Sequence, residues 1–273
     1  MTDPPPFVSS VVETRGRGVS RLRPAASARH ERGLEAAAIS LAGRLNDVSA
    51  SLRPGEIAAI CGPNGAGKSS LLECLAGLLA PERGAVLLDG APLPSLHPRR
   101  RAQAIGYLPQ HGEVAWDLSV RNLVALGRLP HGDDGAAAVD AALAALDLAQ
   151  FAARPVSTLS GGERARALLA RVLAGEPHWI LADEPLAALD LGHQLALIRH
   201  LRRAAEAGAG VVLVVHDLAL AMNHASRVLV LSEGRLAADG PPEAALDPAL
   251  IARVWGVPAR WLGEPGARAL VAG

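Results

Sequence analysis

Three groups of residues in this sequence have types and spacings suited to chemistry on a phosphate. The first is Gly62-Pro63-Asn64-Gly65-Ala66-Gly67-Lys68-Ser69. Glycines carry no Cβ, so backbone N–H groups can curl inward around an anion. Lys68 adds a point charge for the outer phosphates of a nucleotide, and the Ser69 hydroxyl suits Mg²⁺. The second is Asp183-Glu184, a carboxylate pair ending the apolar run Trp179-Ile180-Leu181-Ala182. A strand this apolar is buried, so acids at its tip must face a cation or a reacting group rather than the core. Asp183 suits the metal, and Glu184 suits orienting or deprotonating an attacking water. The third is His216, delivered by the run Val211 to Val215 in the same way. At the end of a central strand it can contact the terminal phosphate and hold the water. On its own, that histidine reads more simply as a capped surface residue.

A further stretch, Leu159-Ser160-Gly161-Gly162-Glu163, precedes the helical pattern Arg164 to Ala174. Ser160 can cap that helix, and the two glycines leave its positive end open to an anion. One chain has no evident need for two anion-binding helix ends, unless the second serves a nucleotide held by another subunit.

The elements that must position these residues follow from periodicity. Val48 to Leu52 alternates as a half-buried strand, Arg53-Pro54-Gly55-Glu56 is a turn, and Ile57 to Cys61 reads as a buried strand. Ser69 to Leu79 carries Leu71, Leu72, Leu75 and Leu78 at helical spacing. Gly84 and Asp89-Gly90 bracket a strand, Ala85 to Leu88, and residues 111–160 are mostly helical, with Val139, Leu143 and Leu146 on one face. Helices then alternate with the strands Trp179 to Ala182 and Val211 to Val215, the pattern of an α/β fold with a parallel sheet. The glycine loop therefore has a strand before it and a helix after it, the context its pattern requires.

Bulk composition narrows the classes. A chain of 273 residues buries enough surface to need no disulfide or metal staple. The 27 basic and 27 acidic residues cancel, which argues against a nucleic-acid partner. Lys68 is the only lysine. Cys61 and Cys74 lack metal-ligand spacing and read as small buried residues in a reduced compartment. Phe7 to Val12 is too short for a signal peptide, and no window approaches the ~18 apolar residues of a membrane helix. A cytosolic chain, or one held at a membrane only through a partner, is expected. Residues 1–32, rich in proline and arginine, read as a disordered tail. There is no internal repeat, hence one nucleotide site per chain.

In order along the chain stand the Walker A loop, Gln110 after Tyr107-Leu108-Pro109, Leu159-Ser160-Gly161-Gly162, Asp183-Glu184, Ala188-Leu189-Asp190 and His216. Ser160 follows Lys68 by 92 residues, and Asp183 follows Ser160 by 23. This set resembles the ATP-binding subunits of ABC transporters. The resemblance implies a P-loop NTPase fold: a mixed sheet core, an antiparallel β subdomain and a helical subdomain. It implies a domain over residues 33–262, its helical part at about 111–165, and a C-terminal tail at 263–273. The implied ligands are ATP and Mg²⁺. Gly62 to Ser70, with Ser70 where threonine is frequent, would bind the nucleotide; Ser69, Gln110 and Asp183 would serve the metal; Glu184, His216 and Gln110 would be catalytic. Two subunits would pack head to tail, so that Ser160, Gly161, Gly162 and Glu163 of one meet the nucleotide on Lys68 of the other. Asp190 would lie at that interface. Glu163 replaces the usual glutamine, and no aromatic falls near Leu41 to Gly43, where one usually stacks on adenine, which leaves Leu41 to pack against the base.

Leu126-Gly127-Arg128-Leu129-Pro130-His131, following Trp116 and Val120-Arg121, and Leu189-Asp190-Leu191-Gly192-His193-Gln194 resemble the iron-chelate, haem and cobalamin uptake branch. The resemblance then implies an importer subunit at the cytoplasmic face of the inner membrane, bound to a separate permease that works with a periplasmic binding protein. Ferric siderophore is the expected cargo, with cobalamin and haem as alternatives. A non-transport ABC ATPase on nucleic acid or ribosomes would need paired cassettes or a long coiled coil, and the chain has neither sustained heptads nor a second loop. A small-molecule kinase would leave Ser160 to Gly162 without a purpose.

Overall fold

The computed structural model describes residues 33–110, 118–187 and 189–273. The expected tail at 1–32, Trp116 and Ala188 lie outside that set.

The first part of the chain forms β1 (Leu34–Leu41), β2 (Leu45–Leu52), β3 (Ile57–Cys61), α1 (Lys68–Ala76), β4 (Arg83–Leu88), β5 (Ala91–Pro92), α2 (Pro98–Ala104) and β6 (Ile105–Leu108). A helical stretch follows: α3 (Val120–Ala125), α4 (Ala136–Ala145) and α5 (Gly161–Ala174). The remainder is β7 (Trp179–Asp183), α6 (Leu191–Glu206), β8 (Gly210–Val214), α7 (Leu218–His224), β9 (Arg227–Ser232), β10 (Arg235–Gly240), α8 (Pro242–Ala245), α9 (Pro248–Trp255), β11 (Ala259–Leu262) and β12 (Ala269–Ala272).

The central sheet runs β10-β9-β3-β8-β7-β6. Its strands are parallel except β10, which turns back antiparallel on β9 at the edge. β3, β7 and β8 are buried at every residue, as a parallel sheet covered on both faces requires. Ala58 and Ile60 pack with α1 and the antiparallel sheet β2-β1-β4-β5, whereas Ile57, Ala59 and Cys61 pack on the opposite side with α6. Because every crossover returns to the same end of the sheet, the C-terminal tips of β3, β6, β7 and β8 gather at one edge, where ligands bind in open α/β sheets. The architecture is the expected mixed core with antiparallel and helical additions.

The structure differs from the sequence expectation in three places. Helix α1 ends at Ala76, because Gly77 takes a left-handed φ of 70° and its N–H caps the Cys74 carbonyl. Leu78, expected on the helix's buried face, is therefore 64% exposed. Residues 263–273 are no tail: β12 pairs antiparallel with β11, and Asn223 exchanges two hydrogen bonds with the Arg268 backbone. Trp261 donates its indole N–H to the Leu246 carbonyl, fixing the other strand. Finally, α5 begins at Gly161, three residues before the expected start at Arg164, and ends at Ala174 as expected.

Arg128 is 7% exposed, yet its charge is satisfied. It makes a two-pronged contact with Asp133 and further bonds to Glu176 and the Ala174 carbonyl. His131 reaches the Gly175 carbonyl at 2.9 Å. The Leu126–His131 stretch thus ties its loop to the C-terminal end of α5, and none of these side chains is left over for chemistry.

Burial pushes the Cys61 thiol up to about 12 and Cys74 up to about 11. Neither thiol forms the reactive thiolate at neutral pH. Ellman's reagent is expected to find no fast thiol in the native protein and both after denaturation; a rapidly labelled native cysteine would contradict this burial.

Candidate nucleotide site

The loop between β3 and α1 wraps a hollow of ≈ 730 Å³. Asn64, Gly65, Gly67, Lys68, Ser69 and Ser70 line one side, and Gln110, Glu184 and His216 line the other. Sequence spans of 74 and 32 residues separate Glu184 from Gln110 and His216, so the convergence is the work of the sheet edge. Gly67 takes a φ of 99°, which side chains rarely adopt, and a Cβ there would lie 2.5 Å from the Arg44 carbonyl. The loop's backbone therefore packs directly against the turn between β1 and β2.

Lys68 is 6% exposed. Its ammonium donates to the Gly62 carbonyl at 2.9 Å and the Pro63 carbonyl at 3.0 Å. Those bonds use two of its three donors and leave one for an anion. Burial pulls its pKa down, opposed by the carboxylates of Glu184 and Asp183 across the hollow.

Asp183 ends β7 with its carboxyl buried. Burial pushes its pKa up, and a hydrogen bond with Ser69 works in the opposite direction. Its Oδ1 has no hydrogen-bond partner. A buried, unpaired carboxylate oxygen beside a hydroxyl is a donor set for a hard cation. The chemistry of Asp183 and Ser69 therefore fits Mg²⁺.

Glu184 sits at a left-handed φ of 49°, a strained conformation for a residue with a side chain. Its N–H bonds the Val214 carbonyl of the neighbouring β8, holding the backbone in that state. One carboxylate oxygen accepts from Gln110 Nε2 at 2.8 Å, and the other contacts His216 Nε2. The Glu184 side chain is 13% exposed and that of His216 is 47% exposed, so the carboxylate is largely sheltered while the imidazole faces the opening.

Ser160, Gly161, Gly162, Glu163 and Asp190 do not line this hollow. Ser160 caps α5 in a reciprocal box: its hydroxyl accepts from the Glu163 N–H, and the Glu163 carboxylate accepts from the Ser160 N–H at 2.8 Å. A glutamine or a glutamate can make the second bond, which accounts for Glu163 in place of glutamine. Open space surrounds Gly161, where an added Cβ would meet nothing within 4 Å. Asp190 caps α6 through the His193 N–H at 2.9 Å and pairs with the His193 ring at 2.8 Å. Gln194 donates to the Leu186 and Leu189 carbonyls, pinning the segment between Glu184 and Asp190. Arg44 lines the hollow too, and the sequence reading missed it. An arginine after a glycine carries no signal beyond a polar turn; only the fold brings it to the loop.

Residues 45–187 match the model of the ABC transporter family. A hemin import ATP-binding protein of Rhodococcus jostii (strain RHA1) is 42% identical over 96% of this chain and 86% of its own. One from Nocardia farcinica (strain IFM 10152) is 48% identical, covering 81% and 78%. Among solved structures, a dimeric ATP-binding cassette in a post-hydrolysis state with ADP and phosphate superposes with a TM-score of 0.69 at 25% identity, over 77% of this chain and 98% of that one. With the loop, the paired carboxylates and the sheet edge that joins them, these likenesses identify the chain as an ATP-binding, ATP-hydrolysing member of the ABC transporter family.

Proposed function

We propose that this chain energises the import of an iron chelate through a separate membrane permease, with Glu184 as the residue that activates water. The observation that carries the catalytic reading is the Glu184 carboxylate, held between Gln110 and His216 across the hollow from Lys68 and Ser69. In this reading the water oxygen bonds the terminal phosphorus as the bond to the ADP oxygen breaks. Glu184 takes the water's proton, and His216 contacts the phosphoryl group that is leaving. Gln110 and the strained backbone of Glu184 fix the direction of the carboxylate. Lys68 and the loop N–H groups hold the outer phosphates. Ser69 and Asp183 would hold Mg²⁺, with Gln110 facing it; when bound, that ion neutralises charge on the phosphates.

The site is half of a composite. Ser160 to Gly162 present an open, capped helix end that does not line the chain's own hollow, and a second copy packed head to tail would bring that end to the nucleotide. The dimeric solved relative supports this reading. Asp190, exposed and held by His193, belongs to that interface. Among the described residues no helix is long and apolar enough to cross a membrane, consistent with a permease supplied by other chains. Those permease subunits would hold the protein at the cytoplasmic face of the membrane, with a periplasmic binding protein on the far side. Among the iron chelates, the relatives' names favour haem as cargo.

Glu184→Gln is expected to keep ATP affinity while cutting turnover by roughly 10²- to 10⁴-fold, the usual cost of losing a general base. Near-normal turnover in a single-turnover assay would remove Glu184 from that role. Lys68→Ala should abolish tight ATP binding in a fluorescent-nucleotide titration, and unchanged affinity would overturn the loop assignment. A strain without this chain should fail to grow on haem as sole iron source yet grow on ferric salts; unimpaired growth on haem would exclude that cargo.

A further inference from the structure

A residue in a strained conformation such as that of Glu184 keeps it only where its neighbours hold it on both sides. Toward β7 the hold is direct: the Glu184 N–H bonds the Val214 carbonyl of β8 at 3.1 Å. On the other side stands Pro185, which has no N–H to anchor the chain. The Ala187 N–H returns to the Glu184 carbonyl at 3.2 Å and closes a turn, with the proline in the second position that suits it.

Hydrogen bonds from α6 tie this turn to the rest of the fold. The Gln194 amide donates to the Leu186 carbonyl at 3.1 Å and to the Leu189 carbonyl at 3.0 Å. An amide nitrogen carries two hydrogens, and this pair of bonds uses both. The Leu189 N–H also bonds the Leu186 carbonyl, and the Gln194 N–H bonds the Asp190 carbonyl at 2.9 Å. Leu186 and Leu189 are buried, so water is a poor substitute for the amide. Helix α6 is itself seated on β3 and β8, with Leu197, Ile198 and Leu201 buried beneath it. The one sheet therefore holds Glu184 twice, through Val214 before the strained residue and through α6 and Gln194 after it.

Gln194 does not line the phosphate hollow, so it reaches the reaction only through the backbone that carries Glu184. A carboxylate that takes a proton from water works at one distance and one direction, and a small misplacement of it is costly. We propose that Gln194 is a positioning residue for ATP hydrolysis, its amide fixing the chain after Glu184 so that the carboxylate stays aimed at the attacking water. This rests on the reading of Glu184 as the residue that activates water.

Gln194→Met, similar in length but without a donor, should lower kcat about ten- to a hundredfold and leave ATP affinity near that of the wild type. Gln194→Glu, which only accepts when ionised, should lose as much and provides a second variant without donors. Gln194→Lys, whose ammonium can donate to both carbonyls, should recover most of kcat. Melting temperatures identify the variants that are folded at the assay temperature; a glutamine that only stabilised the fold would lower those temperatures and leave the kcat of folded protein unchanged. Added to Glu184→Gln, the methionine should slow turnover no further, because the group it positions is already gone. Wild-type kcat in a folded donor-less variant, no recovery in folded Gln194→Lys, or a full multiplicative loss in the double variant would each overturn the proposal. Near-normal turnover of Glu184→Gln alone would instead overturn the reading beneath it, so the two failures are distinct.

Discussion

Binding a triphosphate inside a protein means supplying more positive potential than one side chain can provide, and the backbone has to come to the anion to do it. The structure depends on that close approach. The loop after β3 has room to turn inward because Gly62 and Gly67 have no side chains to strike the Leu231 and Arg44 carbonyls. The parallel sheet fixes where this happens: its strands are buried along their length, so polar chemistry is confined to their C-terminal tips. Lys68 is tolerated in burial because the loop's own carbonyls receive it. The carboxylates opposite then favour its charged form.

The same constraint extends beyond the hollow to the elements that carry Gln110 and Ser160. Lys68, Asp183 and Glu184 are fixed by strand ends and by neighbouring backbone. Gln110 follows β6, and α2, just before β6, is tied to the Leu126–His131 segment by bonds from Arg99 and Gln103 to the Pro130 carbonyl. Arg128 and His131 tie that segment to the end of α5, whose other end carries Ser160. The Leu126–His131 segment therefore contacts both the helix before the strand that leads to Gln110 and the far end of the helix that begins at Ser160.

Much of this was legible in the sequence because the decisive signals are local. Apolar runs ending in Asp183-Glu184 and His216 mark buried strands with chemistry at their tips, and the glycine loop sits between a readable strand and a readable helix. What was not legible depended on contacts between distant segments. The exposure of Leu78 follows from a left-handed glycine that ends α1 one residue earlier, which helical spacing does not register. The β11–β12 hairpin lacks a strong apolar alternation and is held by Asn223 and the Leu246 carbonyl, both remote in sequence. Arg44 looks like an ordinary turn residue until the β9–β10 turn and the phosphate loop close on it. The family resemblance grouped Glu184, Gln110 and His216 as catalytic, but the pairing of Glu184 with both of the others was not anticipated, since spacing alone does not say which strand tips are neighbours.

The central claim is that the phosphate loop of one chain is completed by Ser160 to Gly162 of another. Sedimentation velocity on the Glu184→Gln protein, with and without ATP, tests it directly because hydrolysis no longer dissolves the complex. The account predicts a monomer without nucleotide and a dimer with ATP, and loss of that dimer when Ser160 is also replaced by arginine. A protein that saturates with ATP and still sediments as a monomer at every concentration would contradict it.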